Sequence, residues 1–344
     1  MTDAPRPAPI DEPRVGAWLT EHVAGARPPF RYRLITGGRS NLTFAVADAG
    51  GERFVLRRPP AGPILATAHD VAREYRLVAA LGPTPVPVPP ALAVCDDSSV
   101  NGSPFAVTGF VRGIVMDTPE LARTVDEPRR REIAFHMIDV LADLHAVDLE
   151  AVGLADLSSH ASYIERQLRR WSRQWADSRT QDLPLIDDVE RRLRSQVPEQ
   201  REVRLVHGDY RFGNVIVDAE RGRVAAVLDW ELCTLGDPLA DLGHLGIYWH
   251  DASSDAPTAD PTSAGGFPSF AELLSRYADR TGRDVGGIEY YRAFAAWRLA
   301  IIGEGVASRH HHAHPEDSAA LALGQESVAR LAAFARDALD RLGA

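Results

Sequence analysis

Residues 205–218 read LVHGDYRFGNVIVD. Two apolar runs flank a polar loop in which His207, Asp209 and Asn214 fall within eight positions. Short apolar runs bounded by turn residues read as strands, so the loop is held at both ends. A further run, AAVLDWE at 225–231, carries Asp229 near its end, fifteen residues after Asn214. The pattern predicts three short strands over 203–230, set in a chain that is otherwise mainly helical from about residue 114.

The residue types suggest a chemistry. Asn214 and Asp229 offer hard oxygen ligands of the kind that suit Mg2+, which keeps waters and phosphates as its other ligands. Asp209 remains for a different task. A carboxylate beside the metal can accept a proton from an attacking hydroxyl and aim it at a phosphoryl group. Taken singly, Asp209 and Asn214 also suit turns, and Asp229 suits a helix N-cap. What favours chemistry is a second half of the machinery upstream.

That half lies in short β-rich runs, FRYRLI, LTFAVA and ERFVLR, separated by TGGRSN and DAGG, which read as an antiparallel meander. Gly37, Gly38 and Ser40 lie in the first of these turns, whose backbone N–H groups can close over phosphates. On the third strand, alternation puts Val55 and Arg57 on one face and Arg58 on the other. A helix over HDVAREYRLVAALG, closed by Gly82, carries Glu74, placed to hold Arg57 in an ion pair. Arg57 can thus bring positive charge to phosphates. The chain contains no lysine, so each of its 38 strong cations is arginine.

Beyond the helix, PTPVPVPP reads as an extended connector, ALAVC and FAVTGFV as strands, and DDSSVNG as the turn between them. Helices are expected near 129–147, 158–179, 185–196, 268–281, 288–307 and 317–341, with a mobile loop at 251–266. The organisation predicted is α+β and bilobal: a tail and short helix at 1–27, a β-rich lobe at 28–113, and a helical lobe at 114–344, with a cleft at their join.

Composition sets the outer limits. With 344 residues and 45% hydrophobic content, the chain can bury two modest cores. No apolar run is long enough to span a membrane and the N-terminus lacks the order of a secretory signal, so a cytoplasmic protein is expected. A net charge of −10 argues against a nucleic-acid surface. Cys95 and Cys233 read as core thiols.

HGDYRFGN, LDWE, GDPLADL, the glycine hairpin and the strand–helix pair ending in AREY together resemble the aminoglycoside phosphotransferase-like kinases, which have the protein-kinase fold. VLRRPP, LDWELCTLGDPLADL and FAAWRLAIIGEG are most similar to a branch found both as free bacterial proteins and fused ahead of acyl-CoA dehydrogenase domains. The resemblance implies a kinase using Mg2+ and ATP or GTP on a small-molecule hydroxyl acceptor, as a monomer or homodimer. It implies Asp209 as catalytic base, Asn214 and Asp229 as Mg2+ ligands, and Arg57 with Glu74 as the phosphate-holding pair. Val55 would cap the adenine, the 108–113 segment with Thr108 and Phe110 would form the hinge that binds it, and His207 would brace the catalytic loop. Arg57 stands where most kinases carry lysine, and a planar guanidinium changes the phosphate geometry. That substitution is what keeps a catalytically silent nucleotide-binding module as the alternative. HGD in place of HRD, with no APE segment, argues against a protein acceptor.

Other features read as structural. His145 is expected to be a satisfied core histidine, and Trp171 and Trp175 helix packing. Asp237 and Asp241 read as loop-bracing carboxylates, Arg298 and Arg309 as surface charges, and His310, His311, His312 and His314 as part of a solvated loop.

Overall fold

The computed structural model describes residues 10–35, 41–59, 70–157, 162–250, 256–258, 260–314 and 316–342. Gly37, Gly38 and Ser40 lie outside the described residues, as do 251–255 and 259 of the expected loop. By its internal contacts the chain divides into two compact units, one of residues 1–113 with 225–231 and the other of residues 114–224 with 232–344.

The first unit is built on a five-stranded antiparallel sheet in the order β1-β2-β3-β5-β4. Its strands are β1 (Arg31–Leu34), β2 (Leu42–Asp48), β3 (Gly51–Arg58), β4 (Ala91–Cys95) and β5 (Phe105–Gly109). Alternation along β3 buries Phe54 and Leu56 in the core and leaves Val55 and Arg57 on the opposite, half-buried face. The buried face packs Phe44, Val46, Phe105 and Val107 against Val15 and Leu19 of helix α1 (Glu12–His22). Helix α2 (Val71–Leu81) starts at Asp70, whose Oδ1 accepts the Arg73 N–H at 2.9 Å, and this cap places Glu74 in the first turn. The expected DDSSVNG turn is a short helix, α3 (Ser98–Asn101). Asp97 caps it by accepting from Ser99 N–H, and Gly102 ends it in the left-handed region.

The second unit is mainly helical: α4 (Pro119–Arg123), α5 (Glu127–His145), α6 (Tyr163–Ser178), α7 (Pro184–Ser195), α8 (Leu239–Gly246), α9 (Phe270–Thr281), α10 (Ile288–Ala313) and α11 (Ser318–Leu342). Among them run β6 (Arg204–Val206), β7 (Val215–Asp218), β8 (Arg223–Val227), whose end belongs to the first unit, and β9 (Thr234–Gly236). β6 pairs antiparallel with β9, with Leu205 opposite Leu235. β9 and α8 go beyond the sequence expectation. A three-residue strand is too short to show a period, and α8 contains Gly243 and Gly246, which lower helix propensity. Packing reverses that penalty at Gly243: a Cβ there would lie 2.5 Å from Tyr291, so only glycine lets α8 approach α10.

Helix α10 also runs further than the 288–307 expected and takes in His310, His311 and His312 as its last turn, correcting the loop reading. The His314 N–H closes that turn on the His310 carbonyl at 2.8 Å. No helix among the described residues is long and apolar enough to cross a membrane.

Candidate active site

In the first unit, Arg57 projects from β3 toward three carboxylates. Its Nε lies 3.0 Å from Glu74 Oε2, and its terminal nitrogen lies 2.6 Å from Asp229 Oδ1 and 4.0 Å from Glu231 Oε2. The Arg57–Glu74 pair expected from the sequence is therefore formed. Asn41 Nδ2 donates to Glu74 Oε1 at 3.1 Å, and the Arg73 guanidinium donates to the Glu231 carbonyl. The backbone of 225–231 is tied down where Val227 N–H meets the Pro87 carbonyl at 2.8 Å.

Asp229 has φ of 64°, a left-handed backbone that a non-glycine residue adopts at a cost of about 1 kcal/mol or more, and it holds its carboxylate against Arg57. The ligand oxygens of Glu74, Asp229 and Glu231 come within 4.8 Å of one another. Three carboxylates gathered in this way offer hard oxygen ligands of the kind that suit a divalent cation. The titration of the group reflects this crowding. Burial works against the Arg57 charge, but Glu74 and Asp229 outweigh it and hold the guanidinium above its ordinary range. Burial, reinforced by Asp229 and Glu231, pushes Glu74 up to about 7 even though Arg57 pulls the other way.

Val55 sits on the same strand face as Arg57 and pairs with Thr108 of β5. Phe110 N–H donates to the Arg53 carbonyl at 2.8 Å, so that donor is committed to closing the sheet.

In the second unit, β6 leads into the HGDYRFGN loop. Gly208 has φ of 82°, and a Cβ there would come within 2.8 Å of the Leu232 carbonyl, so both backbone shape and space require glycine. The loop hangs on Asp241, which is fully buried and accepts from His207 N–H at 2.7 Å and Gly208 N–H at 2.8 Å. His145 also reaches Asp241, Nε2 to Oδ2 at 3.2 Å, while its Nδ1 lies 2.7 Å from the Tyr277 hydroxyl. Asp241 is the loop-bracing carboxylate expected, and His145 the satisfied core histidine. Asp237 braces too, accepting from Tyr291 and from Leu239 N–H. Trp171 and Trp175 are buried packing residues on α6.

Asp209 itself is gripped on both oxygens. Asn214 Nδ2 donates to Oδ2 at 2.6 Å and to the Asp209 carbonyl at 2.8 Å, while His244 Nε2 meets Oδ1 at 2.7 Å. Arg211 Nε lies 3.5 Å from Oδ1, its guanidinium over the Tyr248 ring. Burial alone would raise the Asp209 pKa, but the hydrogen bond from His244 and the nearby Arg211 hold it well below the usual carboxylate range. His207 Nδ1 accepts the Asp209 N–H at 3.2 Å, which places it as a loop brace.

Arg298 departs from its reading as a surface charge. It is only 5% exposed and donates to the Gly208 carbonyl at 2.6 Å and to His244 Nδ1 at 3.1 Å. Arg309, by contrast, is exposed. The sequence reading missed Glu231, Arg211 and His244. Each left a signal: Glu231 and Arg211 stand two residues from Asp229 and Asp209, and His244 is a polar residue in the apolar run LADLGHLG.

The profile of the phosphotransferase enzyme family matches residues 31–278. Acyl-CoA dehydrogenase family member 10 of Mus musculus is 35% identical over 327 residues, which cover 91% of this chain and 30% of that protein. The chain thus spans about a third of the length of the curated relatives it matches. A crystal structure of a candidate aminoglycoside phosphotransferase from Ralstonia eutropha is 31% identical, with a TM-score of 0.79 over 96% of this chain and 99% of that one. The GDP complex of aminoglycoside 2'-phosphotransferase-IIIa is 15% identical, with a TM-score of 0.63 over 94% of this chain and 99% of that one, and shares the fold. The α+β architecture is that of the kinase-like aminoglycoside phosphotransferases.

Proposed function

Because the chain belongs to the phosphotransferase enzyme family, we propose that it is a small-molecule kinase that moves the γ-phosphoryl group of ATP or GTP to an acceptor hydroxyl. The observation that carries this reading is Asp209: an ionised, partly exposed carboxylate held on both oxygens by Asn214 and His244.

Asp209 would accept the acceptor O–H as a hydrogen bond and align its oxygen with the γ-phosphorus. A carboxylate held below its usual range is a weak base toward a ground-state alcohol, so alignment is its first contribution. The proton passes to Asp209 as the new O–P bond forms and the bond to the β-phosphate oxygen breaks, when the attacking oxygen has become acidic. Arg57, kept charged by its carboxylate neighbours, would meet the phosphates. Mg2+, with Asn214 and Asp229 as its ligands, would supply charge neutralisation on the transferring group. Glu231 stands beside Asp229 as a further carboxylate.

For the acceptor we favour a hydroxyacyl thioester or a related hydroxy acid over an aminoglycoside or nucleoside antibiotic. The support is the similarity across most of this chain to a segment of acyl-CoA dehydrogenase family proteins. A cytoplasmic location accompanies that reading.

The test is Mg2+-dependent transfer from ATP and from GTP to a panel holding all these acceptor classes, with product masses read directly. A mass gain of one phosphate is expected, reduced on the order of 1,000-fold in Asp209→Asn with nucleotide binding retained. Full turnover by that variant would remove Asp209 from its role. Tight nucleotide binding with no product from any acceptor would point to the catalytically silent module instead.

A further inference from the structure

The hydrogen bonds around His244 have a direction that the chemistry of their partners imposes. Arginine has donors and no acceptor, so Arg298 at 3.1 Å can only donate to His244 Nδ1, which must therefore carry a lone pair. The ring proton is then on Nε2, where it meets Asp209 Oδ1 at 2.7 Å. Turning the ring over would put carbon atoms at both positions. Protonating it would set N–H against N–H and place two cations at hydrogen-bond distance, with His244 only 3% and Arg298 only 5% exposed.

We propose that Arg298 is a positioning residue that locks His244 in its neutral Nε2–H tautomer, and that the pair fixes the Asp209 carboxylate for its task. Arg298 does this from α10 while also holding the Gly208 carbonyl at 2.6 Å, so one guanidinium sets both the loop backbone and the side chain that reaches its carboxylate. With Oδ1 held through His244 and Oδ2 by Asn214, the carboxylate plane cannot rotate, and its remaining lone pairs keep one direction. Tyr248 closes the surroundings of His244, its ring edge-on at 5.2 Å between centroids. Burial and the Arg298 charge together depress the His244 pKa, consistent with a neutral ring.

The kinetic side of this proposal rests on the phosphotransferase reading of Asp209, whereas the tautomer does not. The chain has 12 histidines, so His244 is assigned in a 15N-histidine-labelled sample by the signals that His244→Gln removes. Long-range 1H–15N correlation spectra should show Nδ1 unprotonated and Nε2 protonated through pH 6–8. In Arg298→Met the Nδ1-protonated or doubly protonated ring should appear, and an unchanged His244 spectrum in that variant would overturn the lock. In turnover, Arg298→Met should lower kcat on the order of 10- to 100-fold with nucleotide KM within twofold.

Should Arg298→Met fold poorly, the histidine decides. His244→Gln can still present an N–H to Oδ1 and should keep clearly more activity than His244→Leu; equal losses in the two would overturn the positioning role. If the wild-type chain transfers no phosphate, the functional reading fails, and the spectra alone decide the lock.

Discussion

Two chains of donors run from a guanidinium through an imidazole to an aspartate in the helical unit, and they end differently. In one, Arg283 reaches the Tyr277 hydroxyl at 3.2 Å, Tyr277 meets His145 Nδ1 at 2.7 Å, and His145 Nε2 meets Asp241. In the other, Arg298 meets His244 and His244 meets Asp209. In the second chain the arginine forces His244 to accept at Nδ1 and point Nε2–H at its carboxylate; the first accommodates the same order, because the Tyr277 hydroxyl can accept from Arg283 and donate to His145 Nδ1. Asp241 is 0% exposed and spends both oxygens on His207, Gly208 and His145, whereas the Asp209 side chain is 24% exposed. The difference teaches that the relay does not by itself make a reactive group. A carboxylate wholly consumed by donors is a brace; one left partly open at the end of the same kind of chain can act.

The strongest way to break this comparison is to neutralise each aspartate in turn. Asp241→Asn replaces an acceptor oxygen with an N–H facing buried donors. It should cost about 3–5 kcal/mol of stability, the range for removing one partner of a buried charged network. Asp209→Asn, with solvent at hand, should shift stability by less than about 1 kcal/mol while it removes turnover. Denaturant midpoints at constant slope would measure both. Equal stability losses would mean that the two termini are not distinct.

A smaller effect tests the bracing chain one link back. Tyr277→Phe removes the hydroxyl between Arg283 and His145 and leaves both facing a gap. It should cost about 1–2 kcal/mol in denaturant unfolding and leave kcat within about threefold. A loss of turnover comparable to that of the Arg298 or His244 variants would show that the two chains are coupled and do not have separate tasks.

How much of this was visible in the sequence follows the same division. Strands β1 to β5, β7 and β8 and helices α5 to α7 and α9 to α11 were legible because their periods run long enough to show, β6 because it leads into the HGDYRFGN motif, and the Arg57–Glu74 ion pair because strand and helix spacing brought the two together. Helix α8 was not, since its glycines argue against helix unless the contact with Tyr291 is known. Arg298 was misread because arginine is usually a surface residue. The contrary signal lies in FAAWRLAIIG, where apolar residues surround it on every face: Phe294, Trp297 and Ile301 are fully buried, and a charge in such a helix needs a buried partner. Its partner, His244, lies 54 positions away, beyond the reach of any local pattern. The left-handed backbone of Asp229 leaves no trace in residue type.

The mildest test sits at the outer end of the bracing chain, where Glu202 pairs with Arg283 and also meets Arg204 at 2.7 Å. The hydrogen bond from Arg283 holds Glu202 at about 2, below its ordinary 4.5, against the opposing effect of partial burial. A carboxylate depressed in the folded chain adds stability that is complete above its unfolded value near 4.5. That contribution is lost as pH falls through about 2. Glu202→Gln should therefore cost about 1 kcal/mol or less at pH 7, discounted because solvent reaches the pair. The gap to wild type should close steadily from pH 4.5 downward and leave the His244 tautomer unchanged throughout. A gap that stayed constant with pH would assign the loss to packing, and a changed His244 spectrum would tie the Glu202–Arg283 pair to Asp209 through Gly208, whose N–H is held by Asp241 and whose carbonyl is held by Arg298.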